Sequence, residues 1–301
     1  MAVSFLSLRT ANPAIPVGTT RYNYLLAPAV HIGDPVDFTI AWQGEYQSRI
    51  PFICTANDRR AGGDWETGVV GYEERLCRRS NLSATLATPA PDSYVNNNYP
   101  IPSEGSIFSE FVVVFRGPHD TYKRLSHPEA LPVVSIPACR WPKLSHGGTK
   151  FSFPIERELV KNKIRSALFL CAAWKYRQVV LMDFGLGNGY RNPPQELAEI
   201  WREVFLYDPE LRGRFDDVAF VFEDPFQSTA GLILDDIAKK SKSGSSSKSK
   251  SKSQSSSSSS SSRSYSAPSD YQIFQNVFHP SEIQRVLSRP DPRLALSMLT
   301  S

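Results

Sequence analysis

Between residues 36 and 225 short apolar runs rich in β-branched and aromatic residues alternate with stretches whose apolar positions recur at intervals of three and four. The runs at 38–42, 52–55, 111–115, 131–136, 179–184 and 218–222 have the length and composition of strands. They are apolar throughout instead of alternating with polar residues, as strands covered on both faces are. Two helices stand out among them. Over 155–174, Leu159, Val160, Ile164, Ala167, Leu168 and Cys171 form one buried face. After Asn192, expected as an N-cap, Pro193 takes the first helical position and Leu197, Ile200, Trp201 and Phe205 make the apolar stripe. The pattern predicts an α/β domain of three layers, α/β/α, around a mixed or parallel central sheet.

The pattern stops near residue 238. Residues 239–269 are almost entirely serine and lysine, and such a stretch cannot bury enough surface to offset its conformational entropy, so a disordered linker is expected there. Beyond it, 280–287 has the pattern of a brief helix ending near Arg289-Pro290. The chain thus divides into a domain over 1–238, with its core at about 22–225, a linker over 239–269, and a short helical tail over 270–301 that docks back on the domain or binds a partner.

Composition narrows the function classes. With 41% hydrophobic and 21% charged residues in 301, the chain can bury a core without staples. The formal charge of +4 suggests nucleic acid until the lysines are located: many lie in the serine-rich tract, where Tyr265 is the only aromatic, so readout of bases by stacking is not expected. That tract is a tolerated insertion, a nuclear-targeting signal, or a phosphorylatable arm for a partner. No basic start precedes a sustained apolar stretch, and the run at 167–174 is too short for a bilayer, so a cytoplasmic or nuclear protein, neither secreted nor membrane-embedded, is expected. Cys54, Cys77, Cys139 and Cys171 stand far apart with no histidine at metal-ligand spacing, which predicts reduced thiols and neither a metal nor a cofactor.

In such a sheet ligands sit beyond the carboxyl ends of strands, which singles out the loops after Thr55 and Phe184. The first contains Asn57 and Gly62-Gly63, where the backbone could approach a ribose or diphosphate, or simply make a tight turn. The second, with Gly185, Gly187, Asn188, Gly189 and Tyr190, leaves a strand and enters a helix, a geometry suited to an anion. Neither the dinucleotide-binding spacing of glycines nor a phosphate-loop Gly-Lys-Ser/Thr is present.

Taken in order, Gly62-Gly63-Asp64, Tyr72-Glu73-Glu74 and Leu76-Cys77-Arg78-Arg79-Ser80 resemble the signature of the microbial-type poly(ADP-ribose) glycohydrolases, a branch of the macrodomains. Tyr99-Pro100, the strand 111–116, Ile164-Arg165-Ser166-Ala167-Leu168, the loop 185–194 and Phe220-Val221-Phe222-Glu223-Asp224-Pro225 are similar to the rest of that family in the same order. The resemblance implies a macrodomain that binds ADP-ribose or an ADP-ribosylated substrate and cleaves the ribosyl bond of poly- or mono-ADP-ribose. It implies Glu74 as the acid/base at the anomeric carbon and Glu73 as the holder of the ribose hydroxyls, with one carboxyl pKa raised by its neighbour. By the same resemblance Gly62, Gly63 and the segment 185–189 cradle the diphosphate and Tyr190 packs on the distal ribose. Arg78 and Arg79 are expected in structural salt bridges, and Cys77 in the core.

Three positions depart from that signature. Asp64 replaces a third glycine, Tyr72 a glutamine, and Cys54 an asparagine for which Asn57 could substitute. Asp64 would face ribose hydroxyls or phosphates, and Tyr72 would reshape the pocket at the anomeric carbon. These departures motivate the alternative expectation of a reader that binds ADP-ribose without cleaving it.

Overall fold

The computed structural model describes residues 2–5, 28–91, 93, 95–244 and 267–288. The expected core start at 22–27, most of the expected linker (245–266) and the tail past 288 lie outside the described residues.

The first helix corrects the sequence expectation: 38–42 belongs to α1 (Pro35–Tyr46), not to a strand. Asp34 Oδ1 accepts the N–H groups of Val36 and Asp37 at 3.0 and 2.9 Å, and Pro35 starts the helix with its φ already set. A side-chain cap contributes about 1 kcal/mol, enough with the proline to override the weak strand preference of an aromatic and β-branched run.

A seven-stranded sheet organises the chain. Its strands are β1 (Ala2–Phe5), β2 (Ala29–Ile32), β3 (Phe52–Thr55), β4 (Ser106–Arg116), β5 (Arg124–Ile136), β8 (Gln178–Leu181) and β9 (Asp217–Phe222); β6 (Leu144–Ser145) and β7 (Lys150–Phe151) form a small separate hairpin. The spatial order is β1-β4-β5-β3-β8-β9-β2. From β5 to β2 the neighbours are parallel, whereas β1 and β4 pair antiparallel at one edge, so the sheet is mixed. β8 stops at Leu181, short of the expected 184, because Phe184 N–H already donates to Met182 O in a turn at 2.8 Å.

Alternate residues of each strand enter different buried clusters, as a period of two requires. Ile53, Val134, Val179, Leu181, Phe220 and Phe222 pack with α4 (Pro154–Ala173), α5 (Pro194–Tyr207) and α7 (Asp270–Val277). Phe52, Cys54, Val133, Val180 and Val221 pack with α1, α2 (Tyr72–Arg79) and α3 (Leu82–Ala87). The N-cap of α5 is Pro193, not Asn192, whose amide instead ties two loops by donating to Cys139 O at 2.9 Å and Gly185 O at 2.7 Å.

The chain past residue 238 also departs from expectation. α6 (Thr229–Gly244) runs through the first residues assigned to a linker, since Leu232 and Ile233 begin a helical register that the following lysines and serines can continue. Residues 270–288 dock back on the domain, one of the two arrangements expected of them. Ser269 opens α7 with a capping box to Gln272, and Phe274, Phe278 and, on α8 (Pro280–Leu287), Ile283 complete the core around Phe220. The helix at 280–287 stands where the pattern placed it.

Candidate active site

β3 ends at Thr55 in the middle of the sheet, and the loop after it returns through Gly71, the N-cap of α2. Asn57 shapes its start: the side-chain oxygen accepts Arg59 N–H at 2.8 Å and Arg60 N–H at 3.2 Å. The backbone N–H of Asn57 donates to Glu73 Oε2 at 2.6 Å.

Glu73 is buried, 4% exposed, and its Oε1 has no partner among the described residues. Burial pushes its pKa up to about 8, and the neighbouring Glu74 charge adds to this; the N–H groups of Asn57 and Gly62 and the charge of Arg140 oppose it. Desolvation, more than repulsion by its neighbour, is what raises the Glu73 carboxyl. Tyr99 presents a second orphan: its hydroxyl is buried without a partner among the described residues, and burial, with the Glu73 charge, pushes its pKa up.

Glu74 is partly exposed and lies between two glycines. A Cβ at Gly63 would fall on Glu74 Oε1 and a Cβ at Gly71 on Oε2. Gly62 and Gly63 have φ of +72° and +57°, a region that favours glycine. At Gly62 a Cβ would stand 2.7 Å from Cys77 Sγ. The glycine pair thus brings the loop onto α2, and the Gly62 N–H faces Glu73.

The two departures in the motif leave the glutamates unobstructed. Tyr72 sends its ring into the core against Phe52, with centroids 5.8 Å apart. Its hydroxyl donates to Asp34 Oδ1 at 3.4 Å and accepts from Val36 N–H at 3.3 Å, so its bulk goes to the β2–α1 junction and does not reshape the space around the carboxyls. Asp64 pairs with Arg60 on the loop surface, so its charge is already matched. Cys54 is fully buried within β3, and Asn57 meets Glu73 through its backbone N–H.

The rest of α2 locks the helix in place. Arg79, 2% exposed, bonds Asp34, Asp37 and the carbonyl of Arg116, as the expected salt bridge. Arg78 instead donates to the carbonyls of Trp65 at 2.8 Å and Val69 at 2.6 Å, closing the glycine loop. Arg75 pairs with Glu223 beyond β9. Cys77 is buried as expected.

The second loop lies beyond β8. Gly185 and Gly187 have φ of +73° and +74°, and a Cβ at either would stand 2.9 Å from Asn192 Nδ2 or Gln227 Oε1. Gly187 N–H donates to Thr229 Oγ1 at 2.7 Å, which removes it from the expected cradle. Asn188 Oδ1 accepts from Arg191 at 2.7 Å. The backbone N–H groups of Asn188 and Gly189 have no acceptor among the described residues and stay available. Below the loop Gln227 Nε2 bridges Asp183 and Asp270 at 3.0 Å each, and burial pushes the Asp183 pKa up to about 7. The C-terminal helix α7 therefore supports the loop through Asp270, which also accepts from Thr229 N at 2.9 Å and Thr229 Oγ1 at 2.6 Å.

Tyr190 joins the two loops. Its carbonyl accepts Trp141 N–H at 2.7 Å, the Arg140 guanidinium lies 5.3 Å from its ring centroid, and burial pushes the pKa of its hydroxyl up. Arg140 is the residue sequence reasoning missed. Its signal is position: it follows the carboxyl end of β5, a strand that neighbours β3. Among the described residues no group of three His, Cys, Asp or Glu could hold a metal ion, and no helix is long and apolar enough to cross a membrane.

Residues 39–117 match the family model for the catalytic domain of microbial-type PARG. No curated protein matches the chain by sequence. The poly(ADP-ribose) glycohydrolase of Thermomonospora curvata, solved with the inhibitor ADP-HPD, is similar in structure with a TM-score of 0.56 and 20% identity over 70% of this chain and 79% of that one. That of Deinococcus radiodurans in complex with ADP-ribose has a TM-score of 0.52 and 20% identity over 71% of this chain and 86% of that one. By the pattern of residues 39–117 this chain matches the microbial-type PARG catalytic domain, and its fold is that of these bacterial poly(ADP-ribose) glycohydrolases.

Proposed function

We propose that the chain is an ADP-ribosyl glycohydrolase on a three-layer α/β/α macrodomain, with Glu74 as general acid and base. One observation carries the reading: Glu74 sits between Gly63 and Gly71 beside a second carboxyl, Glu73, whose burial keeps it protonated below about pH 8. Near neutral pH the pair then holds at least one proton, and a site with both a donor and an acceptor carboxyl suits glycosidic chemistry.

In this reading the diphosphate of the ligand rests on the free N–H groups of Asn188 and Gly189, and the distal ribose lies between Tyr190 and the Asn57 loop. In the reacting form both carboxyls carry a proton, and Glu74 gives its own to the departing oxygen as the bond to the anomeric carbon breaks. The oxocarbenium-like centre develops beside the resulting carboxylate, which stabilises it. Glu74 then takes a proton from water as the water oxygen attacks that carbon, restoring the acid. Glu73, tied by Asn57 and Gly62, fixes the loop and adds no second negative charge.

A reader without hydrolysis drew its support from Asp64 and Tyr72. With Asp64 paired to Arg60 and Tyr72 packed on Phe52, neither stands against the chemistry, which favours the hydrolase. Titration calorimetry with ADP-ribose, run beside an assay of ADP-ribose released from automodified poly(ADP-ribose), separates the two. Binding with release supports the proposal; binding without release supports the reader, and no binding removes both.

A further inference from the structure

Two buried polar atoms near the carboxyl end of β3, Glu73 Oε1 and the Tyr99 hydroxyl oxygen, lack partners among the described residues. A buried polar atom left unpaired has given up its hydrogen bonds to water for nothing in return, so it marks a place where a ligand or a water belongs.

The chain brings both orphans to one loop. Asn57, which begins the loop after β3, donates its N–H to Glu73 Oε2 at 2.6 Å. The next residue, Asp58, accepts Ile101 N–H on its carbonyl at 2.8 Å, which draws the segment carrying Tyr99 onto the same loop. From the other side Asn98, 2% exposed, donates to Leu86 O on α3 at 2.8 Å. The Tyr99 ring packs on the buried cluster that holds Cys54 of β3 and Cys77 of α2. Burial raises the pKa of its hydroxyl, and the ionised Glu73 carboxyl is the foremost charge that adds to the rise.

No hydrogen bond joins the two groups, so a third group must serve both. Because Oε2 accepts from Asn57, Oε1 is the oxygen free to carry the proton while Glu73 is protonated. A phenol hydroxyl both donates and accepts. A ligand hydroxyl, donating to one orphan and accepting from the other, satisfies both in either protonation state of Glu73. A phosphate oxygen would bring its charge beside Glu74, and an apolar group would satisfy neither.

Resting on the glycohydrolase reading, we infer that Tyr99 is a specificity-determining residue whose hydroxyl, together with Glu73 Oε1, holds the 2″-hydroxyl of the distal ribose. That hydroxyl stands on the ring carbon next to the anomeric carbon, as Glu73 stands next to Glu74. An orphan kept for a ligand has a signature of its own: deleting it leaves the free protein no less stable while it weakens binding.

The test compares the full chain with Tyr99→Phe, which removes the hydroxyl and keeps the ring. Melting temperatures are measured first, then titration calorimetry with ADP-ribose and with its 2″-deoxy and 3″-deoxy analogues. The variant is expected to melt no lower than the native chain. Its affinity for ADP-ribose is expected to fall by ~10-fold, and that for the 3″-deoxy analogue by the same factor, while the 2″-deoxy analogue changes by less than about twofold. The native chain is expected to prefer ADP-ribose to the 2″-deoxy analogue by ~100-fold or more, since the analogue leaves both groups unpaired. A variant that fails to fold, or that melts lower and weakens all three ligands alike, shows that the hydroxyl serves the fold through a structural water and overturns the inference. So does a variant that binds all three as the native chain does. Release of ADP-ribose from automodified poly(ADP-ribose) is followed on the same preparations. Binding with the expected discrimination but no release removes the glycohydrolase reading and leaves Tyr99 in its role; release with unchanged discrimination removes only the role of Tyr99. No binding of ADP-ribose removes both.

Discussion

The backbone N–H of Asn57 donates to the buried Oε2 of Glu73 at 2.6 Å, tying the loop that leaves the central strand to the first turn of the helix that carries both glutamates. With the Gly62 N–H on the same carboxyl, Glu73 becomes the knot of the site. Glu74 is left as the partly exposed member of the pair.

The knot has a pH signature. A carboxyl whose folded pKa lies above its unfolded one binds its proton more tightly in the fold, so its stabilising contribution is full below the unfolded pKa and is lost as pH rises through the folded value. For Glu73 that window runs from 4.5 to about 8. Stability is lost progressively across it. Melting temperatures of the native chain are expected to fall across this window more steeply than those of Glu73→Gln. Parallel curves would show that Glu73 titrates normally.

The two glycines against Glu74 separate crowding from backbone strain. At Gly71 φ is −63°, so Gly71→Ala is compatible with the backbone but drives a methyl into Glu74 Oε2. Turnover is expected to drop by about tenfold or more from misplacement of the carboxyl, with little change in melting temperature. Gly63→Ala, at φ +57°, is expected to lose turnover and also roughly 1–3 kcal/mol of stability from strain. Parallel measurement of turnover and denaturant midpoint distinguishes the two.

Arg79 holds α2 to the start of α1. It is 2% exposed and shared between Asp34 and Asp37, so Arg79→Ala leaves Asp34, itself largely covered, without its cation. Since Asp37 is half-exposed, the loss should fall near the lower end of buried pairs, roughly 3 kcal/mol. Urea unfolding checks it, and a midpoint within error of the native chain contradicts it.

The C-terminal helices belong to the domain. Phe274 is 1% exposed between Phe220 and Phe222, and Phe274→Ala is expected to cost about 3–5 kcal/mol. Asp270→Ala removes the support of Thr229 and Gln227 beneath the loop 185–189, so under the proposed function ADP-ribose affinity should fall along with stability. Calorimetry on the folded fraction measures the former.

Much of this was legible in the sequence, for identifiable reasons. β3, β5, β8, β9 and α4 announce themselves because a strand or helix buried on a sheet must be apolar in the matching period. The segment at 38–42 misled because Phe38, Ile40 and Trp42 alternate as a strand would, while the Asp34-Pro35 start that decides for helix lies outside the run. Asn192 resembled an N-cap, but its amide was claimed by Cys139 and Gly185, partners distant or hidden in sequence. The motif located Glu73 and Glu74 but not the burial that divides them, and it assigned Tyr72 to the pocket when its hydroxyl reaches Asp34 across 38 positions of chain. Arg140 gave no local pattern at all; the pairing of β5 with β3 brings its loop to that strand's flank.

The central claim is that Glu74 performs the chemistry in a site that binds ADP-ribose. Its most direct test compares the native chain with Glu74→Gln on automodified poly(ADP-ribose), following released ADP-ribose, while binding of free ADP-ribose is measured on the same preparations. Release by the native chain that falls by at least ~10²-fold in the variant, with binding retained, is the predicted result. Equal release from both proteins would contradict it.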